Sequence, residues 1–259
     1  MIGAIIGDIV GSTYEFENTR DYNFELFPKG STFTDDTICT IAIADAILKG
    51  ITYRDSLLYW CRKYNAPYGG MFSQWLNSHN PKPYGSFGNG SAMRVSPVGW
   101  AFIKSMDVLE EAKKSAECSH DHPEGVKGAQ TIAMCIWYLA SHRNMNEAKK
   151  MVDDICAGMY GSDYAKHIPA PGVWDSTCQG CVPLAVHLFL KSNDFEDAIR
   201  LAVSYGGDSD TLGAIVGSLA GAFYEIPSKI RIKASSYLPY EMLKVINDFE
   251  RQYCAIIND

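Results

Sequence analysis

Apolar residues recur at helical spacing along most of the chain, with polar residues filling the intervals. Asp35 to Lys49 follows this pattern and stops at Gly50, a residue suited to closing a helix. Tyr53–Tyr64, Leu109–Ser119, Glu124–His142, Asn146–Ala157, Cys178–Lys191, Phe195–Ser204 and Tyr240–Cys254 behave alike. No run alternates β-branched and polar residues between hairpin turns, so strands are not expected. The pattern predicts an all-α fold of roughly ten or more helices, in a single domain over residues 1–259. Three stretches interrupt it: 17–34, 65–90 and 161–177, rich in Pro, Gly and polar residues, read as loops. Loops of that length inside a domain generally carry function or are disordered.

One internal echo stands out. Gly3 to Glu15 aligns with Gly213 to Glu225, and each stretch repeats glycine every fourth residue: Gly3, Gly7, Gly11 and Gly213, Gly217, Gly221. A glycine inside a helix costs about 0.5–1 kcal/mol relative to alanine, so a row of three needs compensation. Close approach of two helix backbones supplies it, and coincidence within two apolar helices is the plain alternative. If the helices cross, the segments just before and after them converge.

Those segments hold clustered carboxylates. Thr34-Asp35-Asp36-Thr37 precedes one apolar helix, and Gly206-Gly207-Asp208-Ser209-Asp210-Thr211 precedes another. Helix capping accounts for one such side chain, not for adjacent acids at both places. Hard divalent cations relieve the repulsion, because they prefer carboxylate and hydroxyl oxygens. The two turns offer about six oxygen ligands, enough for a two-metal site.

Charge and cysteine content narrow the picture. The chain carries 30 acidic and 23 basic residues, a formal charge of −7, which argues against general nucleic-acid binding or an anionic membrane surface. No stretch is long and apolar enough for a membrane span, and Met1 to Asp8 lacks the basic start of a signal peptide. The eight cysteines are scattered through apolar patterns and read as reduced core residues, which fits a cytoplasmic protein.

Four motifs in order resemble the ADP-ribosylglycohydrolase family: Gly7-Asp8 to Tyr14-Glu15, Thr34 to Thr37, Gly88-Asn89-Gly90-Ser91-Ala92-Met93-Arg94, and Gly206 to Thr211. The resemblance implies an all-α fold bearing a centre of two Mg²⁺ or Mn²⁺ ions at the mouth of a cleft. It implies metal ligands at Thr34, Asp35, Asp36, Asp208, Asp210 and Thr211, with Glu15 beside the scissile bond. It places ADP-ribose against Gly85, Ser86, Phe87, Gly88, Asn89 and Gly90, and against His120, where the family's Thr-His is Ser119-His120 here. The expected activity is metal-dependent hydrolysis of the bond joining ADP-ribose to an acceptor such as a protein Arg or Ser. Glu15, Asp35 and Asp210 are the expected catalytic residues, with Glu15 or Asp210 as the base. A small conjugate such as O-acetyl-ADP-ribose is an alternative substrate, and a non-catalytic ADP-ribose binder is an alternative role.

Other signals get plainer readings. Cys178-Gln-Gly-Cys181 has no second pair at zinc-site spacing. His122 is expected in a polar turn before a helix, and Arg94 in a structural ion pair. Tyr22, Phe24, Phe27 and Phe33 either pack the 17–34 loop, stack on adenine or close over the site.

Overall fold

Thr34 opens a helix by accepting the Asp36 N–H on its hydroxyl at 3.3 Å, and Gly50 ends it with φ +65°. This is α2, Asp35–Lys49, and its ends fall where the sequence pattern puts them. A computed structural model describes residues 1–142 and 144–254, except for the side chains of Met145 and Asn146. Around α2, the described residues form α1 (Ile2–Gly11), α3 (Tyr53–Lys63), α4 (Gly70–Asn77), α5 (Gly90–Met93), α6 (Ser96–Ala101) and α7 (Ser105–Glu117). The order continues with α8 (Pro123–Ser141), α9 (Met145–Tyr160), α10 (Cys178–Lys191), α11 (Phe195–Tyr205), α12 (Ser209–Phe223), α13 (Ser228–Ser235) and α14 (Tyr240–Phe249). No strand occurs among them; one isolated bridge pairs Gly88 with Thr177. The fold is all-α, and none of these helices is long and apolar enough to cross a membrane.

The hub of the fold is the pair α1 and α12, which pack against each other more extensively than any other described helices. Every residue of α1 is buried. The glycine echo is their contact line. A Cβ on Gly3 would land on the carbonyl oxygen of Gly217, and one on Gly7 on that of Gly213. At Gly11 it would meet the backbone of Ser209 and Asp210. Helices α2, α8, α10 and α11 then pack around α12. Gly7→Ala should therefore destabilise by ~3 kcal/mol, since backbone cannot yield as a side chain can. Gly158→Ala, with open space around it, should be neutral or gain about 0.5–1 kcal/mol. Thermal unfolding of the two variants checks the contrast.

Two expectations need correction. The 65–90 segment is not all loop: Phe72, Trp75 and Leu76 bury one face of α4, whose eight residues lie between Gly69 and Ser78. Tyr240–Cys254 is α14 followed by a wider π turn over Glu250–Cys254 rather than one regular helix. All eight cysteines are free thiols; six are buried, while Cys118 and Cys254 are half-buried.

Candidate active site

The crossing of α1 and α12 brings the two acidic turns together, and Asp8 fastens them. Asp8 is fully buried in α1. Its Oδ1 accepts from Thr34 Oγ1 at 2.7 Å, and its Oδ2 accepts the N–H groups of Thr34 at 2.9 Å and Thr37 at 3.1 Å. The Thr37 hydroxyl also donates to Oδ2. A saturated carboxylate thus holds the start of α2 against α1. Burial outweighs these donors and raises the Asp8 pKa to about 6.

Asp36 faces the other turn. Its Oδ2 accepts from Thr211 Oγ1 at 3.2 Å, whereas its Oδ1 is buried without a hydrogen-bond partner. An orphaned carboxylate oxygen in a buried site fits a cation. Two triads of carboxylates follow, Asp8–Asp36–Asp210 and Glu15–Asp208–Asp210, each with ligand oxygens within 4.8 Å of one another. Asp210 belongs to both. Asp35 is in neither triad but lines the same cavity. Asn89 orients Asp208 by donating Nδ2–H to its Oδ2 at 2.7 Å.

The electrostatics are those of crowded anions. Burial first, then Asp208, pushes Glu15 up to about 7; burial first, then Asp8, pushes Asp35 up to about 7. Burial first and neighbouring carboxylates next hold Asp36 and Asp210 well above the ordinary aspartate value. Burial also raises Asp208.

The cluster lies along a cavity of about 570 Å³. Ser86, Gly88, Asn89 and Gly90 line it with His120, as expected. The His120 ring is wedged beside Phe72 and Tyr84, with Nδ1 2.8 Å from the Ser119 hydroxyl. Burial and then Arg94 keep it neutral, its pKa well below 6.5. Gly90 is small for a reason: a Cβ there would lie 2.9 Å from His120 Nε2. At the mouth, the exposed rings of Phe16 and Trp174 stack with centroids 5.8 Å apart.

Other expected positions fall elsewhere. Gly85 and Phe87 do not line the cavity: the Gly85 N–H donates to Asp121 and Phe87 rests on His122. Thr34 Oγ1 donates to Asp8 and stands 3.4 Å from Asp36 Oδ2, beside the first triad. The N–H groups of Gly88 and Asn89 donate to Ser86 Oγ and Ser176 O. Among the described residues, Arg94 makes no ion pair. Its Nη2 donates to Ser115 O and Ser119 Oγ at 2.8 Å each, and its Nε is unpartnered. The aromatics of 17–34 pack their loop instead of lining the cavity: Tyr22 binds Asp197, Phe24 meets Tyr14, Phe27 stacks on Tyr237 and Phe33 meets Tyr64. His122 caps α8 by accepting the Glu124 N–H. Sequence reasoning gave no role to Asp8, although a lone acid in an otherwise apolar helix was a usable signal. Phe72 and Tyr84 were also missed, and their loop-like surroundings gave none.

Comparison with known proteins agrees with this architecture. The sequence profile described as ADP-ribosylglycohydrolase matches residues 1–252. The human "ADP-ribosylhydrolase ARH3" is 24% identical, with 94% of this chain and 90% of that protein covered. The Rhodospirillum rubrum "ADP-ribosyl-[dinitrogen reductase] glycohydrolase" is 24% identical over 99% of this chain and 93% of its own. A solved "ADP-ribosylglycohydrolase-related protein complex" shares the fold, with TM-score 0.74 and 24% identity over 97% of this chain and 95% of that one.

Proposed function

The chain belongs to the ADP-ribosylglycohydrolase family, and from that premise we propose that it is a metal-dependent hydrolase releasing ADP-ribose from a modified protein side chain. The observation that carries the metal reading is Asp210, shared between two carboxylate triads beside the orphaned Asp36 Oδ1. The donors fit two hard cations: Asp36, Asp208, Asp210 and Glu15 supply carboxylates, Thr211 a hydroxyl, and Asp35 a further acid at the cavity wall. Mg²⁺ or Mn²⁺ held there would supply positive charge to orient ribose hydroxyls and lower the pKa of water.

The chain's own residues do the rest. Breaking the bond at the anomeric carbon builds oxocarbenium-like positive charge, which facing carboxylates stabilise. Glu15 lines the cavity beside the Asp208–Asp210 turn and is the carboxylate placed to take a proton from water. Asn89 keeps Asp208 turned inward, and His120, Phe72 and Tyr84 form an apolar wall suited to a planar base. The names of the human and Rhodospirillum rubrum relatives support an ADP-ribosyl substrate, the second of them a protein acceptor. The test is incubation with arginine- and serine-linked ADP-ribosyl peptides, in Mg²⁺, Mn²⁺ or excess chelator. Free ADP-ribose should appear with either cation and fall to background in chelator. Release indifferent to chelation would end the metal reading, and release from neither peptide would end the protein-acceptor reading.

A further inference from the structure

Glu15 lies beyond the end of α1, after the short turn Ser12–Tyr14, where no regular helix holds its backbone. The chain ties it instead to the Gly206–Asp208 turn, through Asn18. The Asn18 amide accepts the Gly207 N–H on Oδ1 at 2.7 Å and donates from Nδ2 to Gly207 O at 3.0 Å. One side chain thus pairs with both main-chain groups of a single residue, as a neighbouring strand would. The same Nδ2 reaches back to Tyr14 O at 2.6 Å and Glu15 O at 3.1 Å. Ser209 adds a second tie, its hydroxyl donating to Tyr14 O at 3.2 Å.

The partner turn is shaped to receive this amide. Gly206 and Gly207 adopt φ +79° and +87°, and a Cβ on Gly206 would come 3.0 Å from Asn18 Oδ1. The next residue is Asp208. The hydrogen-bond pattern demands an amide: its two N–H groups are shared among three carbonyls while its oxygen accepts one N–H. Aspartate would set a charge against the carbonyls, and an aliphatic residue would leave both sides unmet.

We propose that Asn18 is a positioning residue for the reaction, setting the separation between Glu15 and the Asp208–Asp210 turn so that the second triad closes. This deepens the hydrolase reading and rests on it. Asn18 touches neither the cavity nor the carboxylates, so it acts through Glu15 and the turn. A displacement of an ångström at a reacting group is enough to cost a large rate factor.

The experiment uses the full chain carrying Asn18→Ala, Asn18→Asp, Glu15→Gln and the Asn18→Ala/Glu15→Gln pair. On an ADP-ribosyl peptide the wild type cleaves, both Asn18 variants should lose at least ~30-fold in kcat, with KM within about threefold. Because Asn18 acts through Glu15, the double variant should match Glu15→Gln within about threefold rather than multiply the two losses. Calorimetry with Mn²⁺ alone should show Asn18→Ala binding about tenfold more weakly, with Tm within about 5 °C of wild type. Wild-type kcat and Mn²⁺ affinity in Asn18→Ala would overturn the proposal. So would multiplying losses, or a collapse of Tm that marks Asn18 as mere fold support. If the wild type cleaves no ADP-ribosyl conjugate, the hydrolase reading fails, and the Mn²⁺ comparison still decides the role of Asn18.

Discussion

Asp210→Asn should lower kcat by at least ~10³-fold while leaving the protein folded. Asp210 is common to both carboxylate triads, so one substitution removes an anionic oxygen from each. Asparagine has the same shape and one neutral oxygen, which cannot serve two cations as a carboxylate does. The fold has no reason to object. Burial and then Asp36 already hold the Asp210 pKa well above the ordinary value, a sign that its charge strains the folded state. In chelator the variant should therefore melt at or above the wild-type temperature, and calorimetry should show Mn²⁺ binding lost or sharply weakened. Near-wild-type kcat would remove Asp210 from the centre.

What the sequence disclosed about this site, and what it withheld, follows from the range of each interaction. The acidic turns were readable because capping is local: Thr34 and the acids after it mark a helix start within four residues, and α2 begins there. The glycine rows were readable because a contact line along a helix repeats every fourth residue, and Gly7 against Gly213 is that line. Asp8, Asn18 and Arg94 behave otherwise. The partners of Asp8 lie 26 and 29 residues away, and the turn that Asn18 ties to its own segment lies 189 away. A lone acid in an apolar helix singles Asp8 out, but no short-range pattern tells a saturated aspartate from a metal ligand. Arg94 was expected to find a carboxylate, yet helix α7 offers it the Ser115 carbonyl and its C-terminal flank the Ser119 hydroxyl. Helix α4 was hidden because its flanking glycines and prolines speak for loop more loudly than three apolar residues speak for helix.

The same crowding of carboxylates predicts how stability responds to pH and to cations. Glu15 and Asp35 stand at about 7 and Asp8 at about 6, against ordinary values of 4.5 for Glu and 3.8 for Asp. Between about pH 4 and 7 the folded chain keeps protons that the unfolded chain has released. Stability from these groups is therefore full below about pH 4 and is lost as pH rises through about 7. His120 works in the opposite sense, since its buried neutral ring costs stability once the unfolded ring protonates below 6.5. Comparing wild type with Asp210→Asn cancels that contribution and those of Glu15, Asp35 and Asp8, which both proteins keep, and leaves that of Asp210, whose pKa burial and then Asp36 hold well above the ordinary value. In chelator, the Tm advantage of Asp210→Asn should widen from pH 5 to pH 8. Adding Mn²⁺ at pH 8 should reverse the order. At one hundred times Kd each ion stabilises the wild type by about 2.7 kcal/mol, so two ions raise Tm by roughly 10–20 °C in a chain of this size. At pH 5 protons compete for the same oxygens, and the rise should be smaller. A Tm difference between the two proteins that stays flat across this pH range, with no Mn²⁺ response at pH 8, would mean that the six acids at the crossing of α1 and α12 do not form a cation site.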